Sequence, residues 1–241
     1  MTPKPGMQRV LITGGGSGIG RAVAERVLAE GGQVVVSGRR AERLEAVVRS
    51  APEGRAVAIS CDLADPAQRR ALVARAKAAL GGLDGVVFSA GLVHHQLPGA
   101  LDENALNAQL QINLVAALRI GEQALEHLDP GGALVFVSST LAHRPLPTSA
   151  VYSASKAGLL AVMKSFALAG AGRRIRCNAV TPGLVDTEMI SGRDRTALDA
   201  LHPLGRIGRP EEIAEAIAHL LTASWTTGTE LVVDGGLLLR E

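Results

Sequence analysis

Arg9-Val10-Leu11-Ile12-Thr13-Gly14-Gly15-Gly16-Ser17-Gly18-Ile19-Gly20-Arg21-Ala22 runs from a short apolar stretch through a glycine-rich turn into an amphipathic segment. An apolar run without alternation is what a parallel strand buried on both faces requires. Glycines then stand where the backbone must bend: Gly14 for the tight turn, Gly18 for close approach to a ligand, and Gly20 so that the next helix packs on the sheet. With Ser17 and Ile19 between them, the turn would present main-chain N–H groups and a helix N-terminus to a pyrophosphate. A plain βα turn has the same glycines, so the rest of the chain must decide.

The same alternation continues to the C-terminus. Further strands are expected at about 33–37, 56–60, 85–89, 133–138, 175–180 and 230–233. Helical patterns lie between them at about 18–30, 40–50, 66–80, 103–128, 150–170 and 210–222. Gly121 interrupts the longest of these helices, and Asp65-Pro66 and Arg209-Pro210-Glu211-Glu212 read as helix starts. Seven strands alternating with helices imply one α/β domain, a doubly wound, Rossmann-like parallel sheet with helices on both faces. At 241 residues the chain suits a single domain better than two. The least regular region, about 184–208, carries Gly192, Pro203, Gly205 and Gly208, and a loop of that length in a compact domain is expected to serve as a substrate lid.

Composition excludes several function classes. Apolar residues make up 47% and aromatics 2%, so the core must be built from Val, Leu, Ile and Ala. A net charge of +2 is far from the basic field of a nucleic-acid binder. Cys61 and Cys177 stand far apart with no metal-ligand spacing, so neither a zinc site nor a disulfide framework is indicated, and no metal is expected. Met1–Gly6 lacks the apolar core of a signal peptide, and no run approaches 18 apolar residues. The expectation is a cytoplasmic protein with no membrane partner.

Two constellations carry chemistry. At the end of the second strand, Val36-Ser37-Gly38-Arg39-Arg40 has no acid to hold a ribose diol. Two guanidiniums there suit a 2′-phosphate, which favours NADP(H), with NAD(H) left open. Arg39 and Arg40 would otherwise only start a solvated helix. The second constellation is Tyr152, the single tyrosine, with Lys156 four residues on. On a helix the two share a face, and a cation near a phenol favours the phenolate, drawing its pKa toward a range useful for proton transfer.

With the Thr-Gly-x-x-x-Gly-x-Gly turn, Tyr-x-x-x-Lys helix and length, the sequence resembles the short-chain dehydrogenase/reductase family, in particular its 3-oxoacyl reductase-like branch, from Val10 to Gly236. The resemblance implies a catalytic set of Asn113, Ser139, Tyr152 and Lys156. Ser139 would polarise the substrate oxygen, Tyr152 would exchange the proton, Lys156 would hold the nicotinamide ribose, and Asn113 would orient a water that links Lys156 to solvent. It implies cofactor contacts from Asp62 and Leu63 near the adenine, from Ala90 and Gly91, and from Pro182, Gly183, Val185 and Thr187 near the nicotinamide. Two positions depart from the family pattern: Ser89 stands where an asparagine is usual, and Ser17 where NADP-preferring members often have a basic residue.

The expected substrate lining is Val93, His94, Thr140, Leu141, His143, Leu146 and Met189, mostly apolar, which favours an aliphatic carbonyl or acyl chain. Arg193 and Arg195 in the lid could recognise an anionic group or simply be solvated. The implied activity is NADP(H)-dependent carbonyl reduction or alcohol oxidation on a small molecule, 3-oxoacyl thioesters included. Two other readings stay open: an NAD-dependent sugar or steroid alcohol dehydrogenase, and a non-catalytic dinucleotide sensor or scaffold, whose mark would be a broken Ser–Tyr–Lys set. The family also implies a homotetramer or dimer, with Ala154, Ala157 and Ala161 allowing close helix packing.

Overall fold

Strands that are apolar on both faces must be covered on both, and that requirement organises the molecule. A computed structural model describes residues 9–240; Met1–Gly6, read above for a targeting signal, lies outside the described residues. Seven strands pair in parallel: β1 (Arg9–Thr13), β2 (Gln33–Gly38), β3 (Ala56–Ser60), β4 (Gly85–Phe88), β5 (Ala133–Val137), β6 (Arg176–Pro182) and β7 (Glu230–Val233). Their order is 3-2-1-4-5-6-7, so the winding reverses between β1 and β4. Side chains within one strand alternate between two cores. Leu11, Leu134 and Phe136 face one, and Val10, Ile12 and Val135 face the other.

Helices α1 (Gly18–Ala29), α2 (Ala41–Ser50) and α9 (Pro210–Thr222) seal one face. Helices α4 (Leu72–Leu80), α6 (Ala116–His127) and α7 (Ala150–Gly170) seal the other, preceded by the short α3 (Pro66–Arg70) and α5 (Glu103–Leu110). All three phenylalanines of the chain, Phe88, Phe136 and Phe166, line up in the second core with ring centroids 6.1 and 6.3 Å apart. At the amino edge of the sheet Arg9 bonds Asp84 (2.7 Å) and Asp129 (3.0 Å), and Lys77 reaches Asp129 at 2.7 Å, tying three connections together far from the crevice.

Four local features differ from the sequence expectation. The helix expected over 66–80 breaks at Ala71. The side-chain amide of Gln123 donates to the Arg69 carbonyl (3.2 Å) and accepts from the Val73 N–H (3.4 Å), so it replaces the i→i+4 bond those two groups would share. The segment expected as one helix over 103–128 contains a π turn, Gln111–Val115. Gly121 does not weaken α6; it faces Phe166, and a methyl group there would overlap the Phe166 ring. Ser89 and Ser138 lie just past β4 and β5 instead of within them, at the carboxyl edge where the site forms.

Gly121→Ala should therefore overpack the Phe136–Phe166 region and cost about 1–3 kcal/mol. For a chain of this size that is roughly 2–4 °C of thermal midpoint per kcal/mol. A midpoint equal to wild type would contradict the packing assigned to Gly121.

Candidate functional site

Where the strand order reverses, the connections leaving β1 and β4 diverge and leave a crevice over their carboxyl ends. A cleft of about 590 Å³ lies there. Its floor at β1 is the glycine turn: Gly14 takes a left-handed φ of +68°, and Gly14, Gly16, Ser17, Gly18 and Ile19 all line the cleft. Gly20 lies beneath. A Cβ on it would collide with the Gly14 carbonyl, so this glycine lets α1 pack against its own turn more than against the sheet. Ser17 precedes α1 but makes no capping bond, and its Oγ accepts from Arg40 Nη2 at 3.0 Å. A cradle of main-chain N–H groups at the N-terminus of a 12-residue helix, with guanidiniums beside it, fits a dinucleotide pyrophosphate and its 2′ end.

Arg39, Arg40, Asp62, Leu63, Ala90, Gly91, Pro182, Gly183, Val185 and Thr187 line the same cleft. Thr13 joins the two strands at the switch point, its Oγ accepting from the Ala90 N–H at 3.4 Å. Arg40 and Arg43 both pair with Glu188, Arg40 Nη1 at 3.0 Å from Oε2. Glu188 and Arg43 were not singled out in the sequence. Arg43 stands one helical turn after Arg40, a spacing that was visible, whereas nothing local connects Glu188 to either arginine.

Ser139, Tyr152 and Lys156 meet on the β5 side of the cleft. Tyr152 and Lys156 are 8% and 3% exposed, and the ammonium lies 5.6 Å from the phenol ring centroid. Burial pushes the Tyr152 phenol up to about 12, against a downward pull from its hydrogen bond with Ser139. The sequence expectation of a pKa lowered by Lys156 is not met here. Desolvation dominates, and Lys156 Nζ donates to the Val137 carbonyl at 2.7 Å. Burial also lowers Lys156 to about 8. Ser139 Oγ accepts from the Leu141 N–H (3.2 Å), and its own proton is shared with Tyr152.

Asn113 is fully buried in the π turn, and its amide is committed on both sides. Oδ1 accepts from the Leu92 N–H (2.8 Å), while Nδ2 donates to the Leu92 carbonyl (2.8 Å) and to Ser155 Oγ (3.1 Å). Its side chain pins the β4–α5 loop against α7. Ser138, also unremarked in the sequence, donates from Oγ to the Lys156 carbonyl at 3.1 Å and fixes α7 to the end of β5.

Of the expected substrate lining, the structure brings Val93, Leu141 and Met189 to the cleft. His94 is not there: Gln109 grips its backbone from both sides, and the next residue, His95, lines the cleft instead. Thr140 is buried in a 3-10 turn. His143 turns to Glu230, 2.6 Å away, and Leu146 is about half exposed outside the cleft. The 184–208 segment is less irregular than expected. Asp194 caps a short helix α8 (Arg195–Asp199), and the base closes where Val185 bridges Gly208. A second hollow of about 740 Å³ lies behind the segment, against α1 and the start of α9.

This fold and cleft define a dinucleotide-binding α/β protein. The family model for enoyl-(acyl carrier protein) reductases matches residues 14–238. A cis-4-hydroxycyclohexanecarboxylate dehydrogenase of Sinomonas cyclohexanicum is 40% identical over 236 residues, 94% of each chain. Carbonyl reductase family member 4 of Xenopus laevis is 36% identical over 231 residues, 95% of this chain and 97% of that one. A blue fluorescent protein from a metagenomic library, solved in complex with NADPH, matches with a TM-score of 0.91 at 31% identity, covering 97% of this chain and 99% of its own. The chain belongs to the short-chain dehydrogenase/reductase family and is an NAD(P)-dependent oxidoreductase.

The buried ammonium gives a test of the site's electrostatics. Lys156 titrates near 8 in the folded chain against 10.5 when unfolded, so below pH 8 the fold carries the whole cost of burying its charge. Lys156→Met should raise the thermal midpoint at pH 7. The gap to wild type should narrow as pH climbs from about 8 towards 10.5, because the native lysine sheds its proton first. A gap independent of pH would show that Lys156 is not buried as a cation.

Proposed function

We propose that this protein is an NADP(H)-dependent reductase of aliphatic or alicyclic ketones, or a dehydrogenase of the matching secondary alcohols, with Tyr152 exchanging the proton. The observation that carries this reading is the convergence of Ser139, Tyr152 and Lys156 on the β5 side of a cleft whose β2 side holds Arg39, Arg40 and Arg43. Three inter-strand spacings, about 14 Å, separate β2 from β5, a span suited to an extended dinucleotide. A bound nicotinamide would supply or take the hydride. A phenol held near 12 is protonated at neutral pH, the state needed to give a proton to the reduced oxygen. Ser139 Oγ would donate to that oxygen as charge develops on it. Lys156 would hold the ribose hydroxyls, and Asn113 would keep the β4–α5 loop over the reacting end. The related carbonyl reductase and hydroxycyclohexanecarboxylate dehydrogenase support the reaction and substrate class.

A 2′-phosphate would compete with Glu188 for Arg40 and Arg43, and its larger charge favours the exchange. The NADPH complex of a structural neighbour supports this cofactor. The 184–208 segment, hollow on both sides, would act as the lid. We also propose a homotetramer that works in the cytoplasm. Ala154, Ala157 and Ala161 form an exposed stripe on α7 near the exposed Leu168, and both cysteines are buried free thiols, as a reducing compartment would leave them.

Tyr152→Phe should bind NADPH as wild type does and lose at least about a hundredfold in turnover, the scale of general acid–base catalysis. Near-normal turnover would sink the assignment. Glu188→Gln should tighten NADPH about tenfold, the scale of one charge-assisted hydrogen bond, and NADH much less. Equal tightening of both cofactors in a fluorescence titration would mean that Arg40 and Arg43 do not read the phosphate. Light scattering should return four times the chain mass, and a monomeric mass would reject the assembly.

A further inference from the structure

The lid carries three arginines that differ in their company. Arg195 bonds Asp186 (2.6 Å) and lies 3.4 Å from Asp199, and Arg206 grips Glu212 at 2.5 Å. Arg193 has no carboxylate within ion-pair distance among the described residues. The neighbouring acids are engaged elsewhere: Glu188 with Arg40 and Arg43, Asp186 with Arg195, and Asp194 as the cap of α8. What Arg193 does meet is His95, its Nη2 lying 3.3 Å from the imidazole Nε2.

The two residues come from different loops, His95 from the β4–α5 connection and Arg193 from the lid. Both line the cleft that holds Tyr152 and Ser139. Val93, Leu141, Met189 and Ile190, all apolar, line the same cleft. A guanidinium has no acceptor, so in this contact Arg193 donates to Nε2; a carboxylate entering between them would take the arginine fork in two bonds and a hydrogen bond from the Nε2–H tautomer of His95. A monoanion suffices for such a pair.

Resting on the reading of Tyr152 as the proton-transfer residue, we propose that the substrate is an oxo- or hydroxy-acid whose carboxylate, separated from the reacting carbon by an apolar body, is held by Arg193 and His95. The carboxylate then ties the lid to the β4–α5 loop. The carbon presented to Tyr152 is set by the length of the apolar body. Arg193 and His95 therefore decide which molecule is accepted and take no part in the proton or hydride step.

The test uses the full chain with NADPH and two ketones of equal shape, 4-oxocyclohexanecarboxylate and its uncharged carboxamide. The acid should exceed the amide in kcat/KM by about tenfold or more, carried by KM, the scale of one bidentate charge-assisted contact. Arg193→Ala should bring that ratio near unity, Arg193→Lys should restore part of it, and His95→Gln should reduce it. Equal kcat/KM for acid and amide, or a ratio that survives Arg193→Ala, overturns the proposal while leaving ketone reduction standing. Should neither ketone turn over, binding decides. Cyclohexanecarboxylate should shift the thermal midpoint of the NADP⁺-loaded chain more than cyclohexanecarboxamide does, and this difference should vanish in Arg193→Ala. If the two shift it equally, the subsite is rejected. A phosphorylated ketone preferred over the carboxylate would also overturn it.

Discussion

The reversal of strand order between β1 and β4 is the constraint on which the site depends. A parallel sheet sends its connections to one face or the other, and only where that choice changes do two neighbouring strands release their chains in opposite directions. The crevice left there cannot be filled by a helix from either side. In this chain it opens above Thr13 and Phe88, directly before the N-terminus of α1. Around it lie the glycine turn from β1, the Ala90-Gly91 segment from β4, Ser139 from β5 and the Pro182–Thr187 segment from β6. The cores on the two faces hold these four strand ends in register. The Arg9, Asp84, Asp129 and Lys77 network fastens the opposite edge, where nothing needs to open.

Within that crevice the dominant force on the titrating groups is desolvation. It raises Tyr152 and lowers Lys156, moving both groups towards their neutral forms. The phenol is neutral at pH 7 while Lys156 keeps its charge below about pH 8, and the Val137 carbonyl and Ser139 provide the remaining partners. The surroundings are positioned by buried amides and hydroxyls: Asn113 grips Leu92, Gln109 grips His94, and Ser138 ties α7 to β5. The charged side chains sit at the rim instead. There Glu188 spans Arg40 and Arg43 and joins the 184–208 segment to the start of α2.

Most of the architecture was legible because it rests on local signals. Unalternating Val and Ile runs marked all seven strands, and Tyr152 with Lys156 needed only helical spacing to share a face. What escaped the sequence depends on contacts between distant segments. Gln123 breaks a helix 52 residues away in sequence, at Ala71, by taking a bond that propensity alone would have left intact. Gly121 reads as a weak point until Phe166 is found against it. His94 and His95 are indistinguishable in sequence, and the choice between them is made by Gln109. The direction of the Tyr152 shift was misread for the same reason, since burial is a property of the whole fold and spacing reports only the nearest charge.

Hydride transfer in this crevice, with Tyr152 beside the reacting carbon, is the proposal on which the other roles rest. Its most direct test is to incubate the protein with a small ketone and NADPH carrying deuterium on the transferring face of C4, and then to measure the alcohol by mass spectrometry. One deuterium is expected on the carbinol carbon of the product, with loss of the label from the cofactor. A cofactor that binds tightly yet keeps its label across a broad ketone panel, including carboxylate-bearing members, would contradict it and leave a dinucleotide-binding protein without the proposed chemistry.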